Sequence, residues 1–322
     1  MKYAKPHLTY QDQVRKLAER GMDVADEGTA VAALKRIGYY RLSAYTYVFR
    51  LPGQPSGSSR RSDEFVAGAT LKNAVDLYDF DHRLRRTLMD GLQQLEVGLR
   101  VKVGYRLGAR SPLAHLDPSH LDAVRCARAT SASDPSSPTV FEAWREEYLN
   151  LLHKAANEDF VKHFIANYDG EVPIWAACEV MTMGCLISLY QLMGRTDRKR
   201  IAEELGVKDP AVLDGWLRAL NVERNHCAHN SRIWNRGTIY PPDKISPRIV
   251  ESDLQHLVGA DQHRVYFLAA VLGYLLRRVH PQTRWPSDFR TTMSKFPEGL
   301  SVTPVNSMGF VESWRTLDLW RP

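Results

Sequence analysis

A chain of 322 residues, 44% hydrophobic and 25% charged, has the composition of a soluble globular protein and length for one large domain or two ordinary ones. Its longest apolar runs, such as Leu268 to Leu276, are too short to span a bilayer, and the polar start Met1 to Tyr10 has no apolar leader, so the expected location is the cytoplasm. The four cysteines, Cys126, Cys178, Cys185 and Cys227, have no paired spacing, which argues against a disulfide framework and fits a reducing compartment.

The formal net charge of +6 is unevenly spread. Residues 1–61 carry 11 Lys/Arg against 5 Asp/Glu, an excess equal to that of the whole chain. A basic segment of this kind attracts nucleic acid by neutralising phosphates, although a solvated basic surface is the plainer alternative.

In chain order, Thr9 reads as a helix N-cap, with Val14, Leu17 and Ala18 at helical spacing before Gly21. A second short helix is predicted from Thr29 to Ile37. Tyr39, Tyr40, Tyr45 and Tyr47 follow, interleaved with Lys35, Arg36, Arg41 and Arg50. Tyr40, Ala44 and Tyr47 fall on one helical face and are expected in the core, leaving the cations for RNA. Residues 51–62, rich in Gly, Pro and Ser, read as a flexible loop. From Leu71 to Leu107 apolar residues recur every three or four positions, predicting a long helix. Val140 to Tyr168, Ile174 to Met193, Thr196 to Leu205, Pro210 to about Trp234 and Arg264 to Val279 are further predicted helices, with a loop at 129–138 and Pro-rich breaks at 236–248 and beyond His280. Strand alternation is scarce. The expectation is an all-α protein: a basic N-terminal helical unit with its loop over 1–62, a helical bundle over 63–280, and a Pro-rich extension over 281–322 packed on the bundle.

The densest chemistry lies in Arg224-Asn225-His226-Cys227-Ala228-His229, with Arg232 just beyond. Arginine is a permanent cation whose rigid donor fork suits phosphate. Histidine exchanges a proton near neutral pH. RNA carries its own nucleophile, the 2′-hydroxyl, so cutting it needs a base, an acid for the leaving 5′-oxygen and a cation for the crowded phosphorane. Asn225 and His229, four apart, share a helical face, whereas Arg224 and His229 are about 140° apart around the axis. Arg224 must therefore reach round or the helix must distort. Cys227 and Ala228 are expected to face the core. A zinc reading of His226, Cys227 and His229 lacks a second ligand pair; Cys178 and Cys185, seven apart, are expected on one core-facing helix.

The Arg224, Asn225 and His229 spacing resembles the Arg-polar-x-x-x-His signature of HEPN ribonucleases. Ile37-Gly38-Tyr39-Tyr40-Arg41-Leu42-Ser43-Ala44-Tyr45 with Phe49, Gln94 to Arg100, Trp175 to Gly184, and Arg224 to Asn235 appear in the order of the Abi-like abortive-infection family (the AbiD/AbiF group), and the chain resembles that family over roughly residues 10 to 236. The resemblance implies a HEPN-like helical bundle, a role in phage defence, RNA cleavage without a metal or other cofactor, and association with a small structured non-coding RNA.

On this reading Arg224, Asn225 and His229 are the catalytic candidates. His226 ranks behind them, as a local support. Glu96 and Arg100 have the spacing of an intrahelical ion pair, and the family pattern implies that they buttress the catalytic helix; Glu179 is assigned a structural role. Lys35, Arg36, Arg41, Arg50 and Arg232 are the candidate RNA contacts, Arg232 alternatively capping the helix C-terminus. One histidine does not easily serve as both acid and base, so a homodimer combining Arg224 and His229 of both protomers is expected. The competing expectation is a non-catalytic RNA-binding protein that forms a ribonucleoprotein with the non-coding RNA. A helical protein-interaction partner such as an antitoxin is a third.

Overall fold

A computed structural model describes residues 6–53, 61–134, 136–243, 245–246, 248 and 252–321. The fold is all-α, and among the described residues only isolated bridges such as Asp23 with Thr70 break the helical pattern. The helices are α1 (Tyr10–Glu19), α2 (Glu27–Ile37), α3 (Tyr39–Thr46), α4 (Leu71–Gly108), α5 (Ala123–Cys126), α6 (Val140–Lys154), α7 (Asp159–Asn167), α8 (Ile174–Val180), α9 (Met183–Leu192), α10 (Arg195–Glu204), α11 (Pro210–Ala228), α12 (Val265–Val279), α13 (Trp285–Met293) and α14 (Pro304–Met308).

The mast of the molecule is α4, 38 residues long, or about 57 Å at 1.5 Å per residue. Thr70 caps it by accepting from the Asn73 N–H. Its leucines from Leu77 to Leu107 are buried, and α3, α8, α11, α12 and α13 all pack on it. Two glycines set how closely they approach. A Cβ on Gly91 would overlap the Trp285 indole of α13, and one on Gly98 would overlap Val279 of α12. Every residue of α12 from Val265 to Leu276 is buried, making it the central core helix.

The N-cap at Thr9 forms with a full capping box to Asp12. Helix α2 starts two residues earlier than its expected first residue, because Asp26 caps it by accepting from the Thr29 N–H at 2.7 Å. On α3 the buried face is Leu42, Tyr45 and, one turn on, Phe49; the expected face of Tyr40, Ala44 and Tyr47 is wrong, with Tyr40 92% exposed. The run from Val140 to Tyr168 is two helices, closed at Ala155 and restarted after Glu158. Likewise Ile174 to Met193 divides at Met181, whose extended backbone leads to Thr182 as the cap of α9. Cys178 and Cys185 therefore lie on different helices, both buried; all four thiols are free.

The tail holds more helix than its prolines imply. Pro286 and Pro304 sit in the first turns of α13 and α14, where a missing N–H costs nothing and a fixed φ helps. Trp285, Phe289, Phe310, Trp314 and Trp320 form an aromatic cluster against Tyr266 of α12. Buried side chains from Val14 to Trp320 belong to one contiguous core, which crosses positions 62 and 280 without a break. The expected flexible loop falls largely on residues 54–60, outside the described residues. No helix among the described residues is long and apolar enough to cross a membrane.

Candidate functional site

Asp209 caps α11 and Pro210 begins it. Leu213, Trp216, Leu217, Leu220, Glu223 and Cys227 make its buried face. The helix stays regular through Ala228, short of the expected Trp234, and His229 is its C-cap with near-helical φ −89° and ψ 14°. Asn230 then turns left-handed at φ 53°. The Ser231 N–H reaches back to His226 O at 2.9 Å and the Asn230 N–H to Cys227 O at 3.2 Å, so two terminal carbonyls are satisfied in the usual paired C-terminal closure. Asparagine tolerates this conformation better than most non-glycine residues.

Residues after that turn are held by a buried polar network on α4. Asp81, fully buried, accepts from the Tyr45 hydroxyl at 2.6 Å, from the Trp234 N–H at 2.8 Å and from the Ile233 N–H at 3.2 Å. Arg85 pairs with the same carboxylate and donates to Ser231 O at 3.2 Å. Burial pushes the Asp81 carboxyl up, while the Arg85 guanidinium and the donated hydrogen bonds pull it back. Two further ties join α3 to the turn: Arg41 donates to Asn230 O at 2.9 Å, and Arg232 to Ala44 O at 2.7 Å. Asp81 and Arg85 were not singled out from the sequence, and Tyr45 was read there only as one of the tyrosines among the N-terminal cations. The available signal was Asp81 lying on the apolar stripe of Leu77, Leu84, Leu88 and Leu92.

Upstream of the turn, Glu96 lies between two arginines. It accepts from Arg100 at 2.7 Å, and its other oxygen is 3.9 Å from Arg224 Nε. Arg100 also donates to Cys178 O and Met181 O at the break between α8 and α9, where Cys178 O accepts from the Met181 N–H as well. Arg224 thus turns toward α4, and it makes no hydrogen bond to the protein among the described residues. His226 Nδ1 is 3.4 Å from the buried Glu223 carboxylate, whose other oxygen has no partner. Asn225, Ala228 and His229 are exposed, so Ala228 does not face the core as expected, whereas Cys227 does. The His229 N–H donates to Asn225 O at 3.0 Å; among the described residues no hydrogen bond or ion pair joins the side chains of Arg224, Asn225 and His229. Burial pushes the Cys227 thiol far up, leaving it neutral and unsuited to attack or metal ligation. No three His, Cys, Asp or Glu side chains cluster as metal ligands among the described residues.

The basic candidates of the N-terminal unit are mostly engaged. Arg36 forms a bidentate pair with Asp79, at 2.7 and 3.0 Å. Arg50 pairs with Asp63 at 2.9 Å. Lys35 is exposed, 5.9 Å above the Tyr10 ring. Arg41 and Arg232 hold the turn already described. Glu179 is exposed and lines a groove of about 490 Å³ with Arg100, Val101, Tyr105 and Trp175.

The model of one protein family, described as Abi-like protein, matches residues 32–235. That span runs from α2 to just past the Asp81-bound segment, and includes Glu96, Arg100, and Arg224 to Arg232. No curated protein and no solved structure matches the chain.

Proposed function

The chain belongs to the Abi-like protein family, and on that premise we propose that it is an abortive-infection effector, a metal-independent endoribonuclease of the HEPN type. The observation that carries this reading is the end of α11. There the Arg224 side chain is held beside Glu96 without a hydrogen bond of its own, about one and a half helical turns before the exposed imidazole of His229. A guanidinium with open donors fits a phosphate oxygen; an exposed imidazole fits proton transfer.

In the proposed reaction the 2′-oxygen attacks the adjacent phosphorus as an imidazole takes its proton. The P–O5′ bond breaks as a protonated imidazole gives its proton to the leaving 5′-oxygen, and Arg224 neutralises the phosphorane. The products are a 2′,3′-cyclic phosphate and a 5′-hydroxyl. Asn225, on the face of His229, positions a phosphate oxygen. Glu96 and Arg100 orient Arg224, and Glu223 orients His226. The second imidazole comes from a second copy of the chain. The exposed apolar stripe Val97, Val101 and Tyr105, 55%, 66% and 73% exposed, supports such a copy, since it begins beside Glu96 and continues to Trp175.

The test is cleavage of single-stranded RNA in EDTA. Arg224→Ala and His229→Ala are each expected to lose about 10²- to 10⁴-fold in rate, with 2′,3′-cyclic phosphate ends on the wild-type products. Full activity in both variants overturns the assignment. RNA binding that survives in both, with no cleavage by the wild type, points to the alternative, a non-catalytic ribonucleoprotein with a small structured non-coding RNA.

A further inference from the structure

The N-terminal cations are largely occupied by Asp79, Asp63 and backbone carbonyls, which leaves the question of where an RNA chain would be held. A second groove, about 650 Å³, lies between α4 and α13. Arg83 and Arg86 line one wall and Lys295 the other. All three are exposed, and none of their side chains has a hydrogen bond or ion pair to the protein among the described residues. In this they differ from Arg36, Arg50, Arg41 and Arg232, whose guanidinium groups are bound.

The groove is rigid where it meets the core. The Trp285 indole donates to Thr87 O at 2.6 Å, and the hydroxyls of Thr87 and Thr292 are 2.7 Å apart. Gly91 lets the N–H edge of the indole approach α4 closely. The walls are not purely cationic. Asp90, which accepts from Gln94 at 2.9 Å, and Asp288 also face the groove. Carboxylates among cations suit a ligand that offers both phosphates and donors. RNA does so, through its backbone and through its 2′-hydroxyls and base amino groups.

We propose that the α4–α13 groove is the surface that holds the RNA backbone, with Arg83, Arg86 and Lys295 as its phosphate contacts. Arg86 and Glu96 are ten residues apart on one helix, about 15 Å along its axis. A strand seated in the groove therefore reaches Arg224 within a few nucleotides. This inference rests on the ribonuclease reading, to which it adds the seat of the substrate.

The experiment measures binding of a fluorescein-labelled single-stranded RNA of mixed sequence to the full chain carrying His229→Ala, across a salt series. The reversal Arg83→Glu/Arg86→Glu/Lys295→Glu is expected to weaken binding more than about tenfold and to flatten the salt dependence by about 2 in log–log slope, at about 0.7 for each phosphate that is no longer neutralised. An equal reversal of Lys154, Lys162 and Arg315, exposed elsewhere, controls for net charge. Unchanged binding by the groove variant, or equal weakening by the control, overturns the groove while leaving cleavage by the chain with His229 intact to judge the ribonuclease reading. A parent chain that binds anionic phosphatidylserine vesicles but no RNA overturns the groove as an RNA seat and, if it also cleaves none, the ribonuclease reading with it.

Discussion

Asp81 and Arg85 stand four residues apart on α4, a spacing that on a helix surface marks a weak solvated pair. Here both are buried, and losing either partner would strand a charge in the core, a change that typically costs about 3–5 kcal/mol. Spacing alone did not separate this pair from Glu96 and Arg100. Only the neighbours of each did, namely Tyr45 and residues 231–234 for the first and Arg224 with the α8 carbonyls for the second. His115 makes the point for a titrating group. It is fully buried against Trp144 and Tyr148, and neither ring nitrogen has a partner. Burial pushes its imidazole down to about 4, from an ordinary 6.5. The unfolded chain therefore binds the proton more tightly than the folded one, and the stability present above pH 6.5 is lost as pH falls toward 4. The loss attributable to His115 is about 3 kcal/mol. Urea unfolding at pH 7, 5 and 4 should show a steeper acid loss in the wild type than in His115→Phe; parallel curves would refute this account.

At the scale of elements, periodicity located the helices well and their ends poorly. Leu71 to Leu107 was legible because a long buried stripe needs no tertiary information to be seen. The divisions at 155–158 and at 181–182 were not: the first is a short local turn between two apolar-periodic segments, and the second is held by a distant group, Arg100. The C-terminus of α11 matters most for the site. Its left-handed Asn230 sets the path of Ser231 to Trp234 into the Asp81 network. Asn230→Gly is expected to keep stability within a few tenths of a kcal/mol, while Asn230→Val should lose about 1–3 kcal/mol and cleavage with it. Thermal unfolding of the two variants decides this, and equal melting temperatures would sink it.

For the whole molecule, the catalytic proposal requires more than one chain. With RNA removed, light scattering is expected to give twice the chain mass of 36.7 kDa. Val101→Asp/Tyr105→Asp, on the exposed stripe, should give the monomer and abolish cleavage. A monomer that retains full activity would contradict the composite site. The sequence by itself determined the all-α class, the family, the long central helix and the block from Arg224 to His229, because these depend on local periodicity and on residue types at fixed spacing. Tertiary structure alone decided which charges are free. It buried Asp81 and Arg85, turned Arg224 toward Glu96, tied Arg36, Arg41, Arg50 and Arg232 to internal partners, and left Arg83, Arg86 and Lys295 open. The physical reason is that a side chain's charge is written in the sequence, whereas its availability depends on whether an acceptor from a distant segment lies within hydrogen-bond reach, and only the packing of α3, α4, α11 and α13 sets that distance.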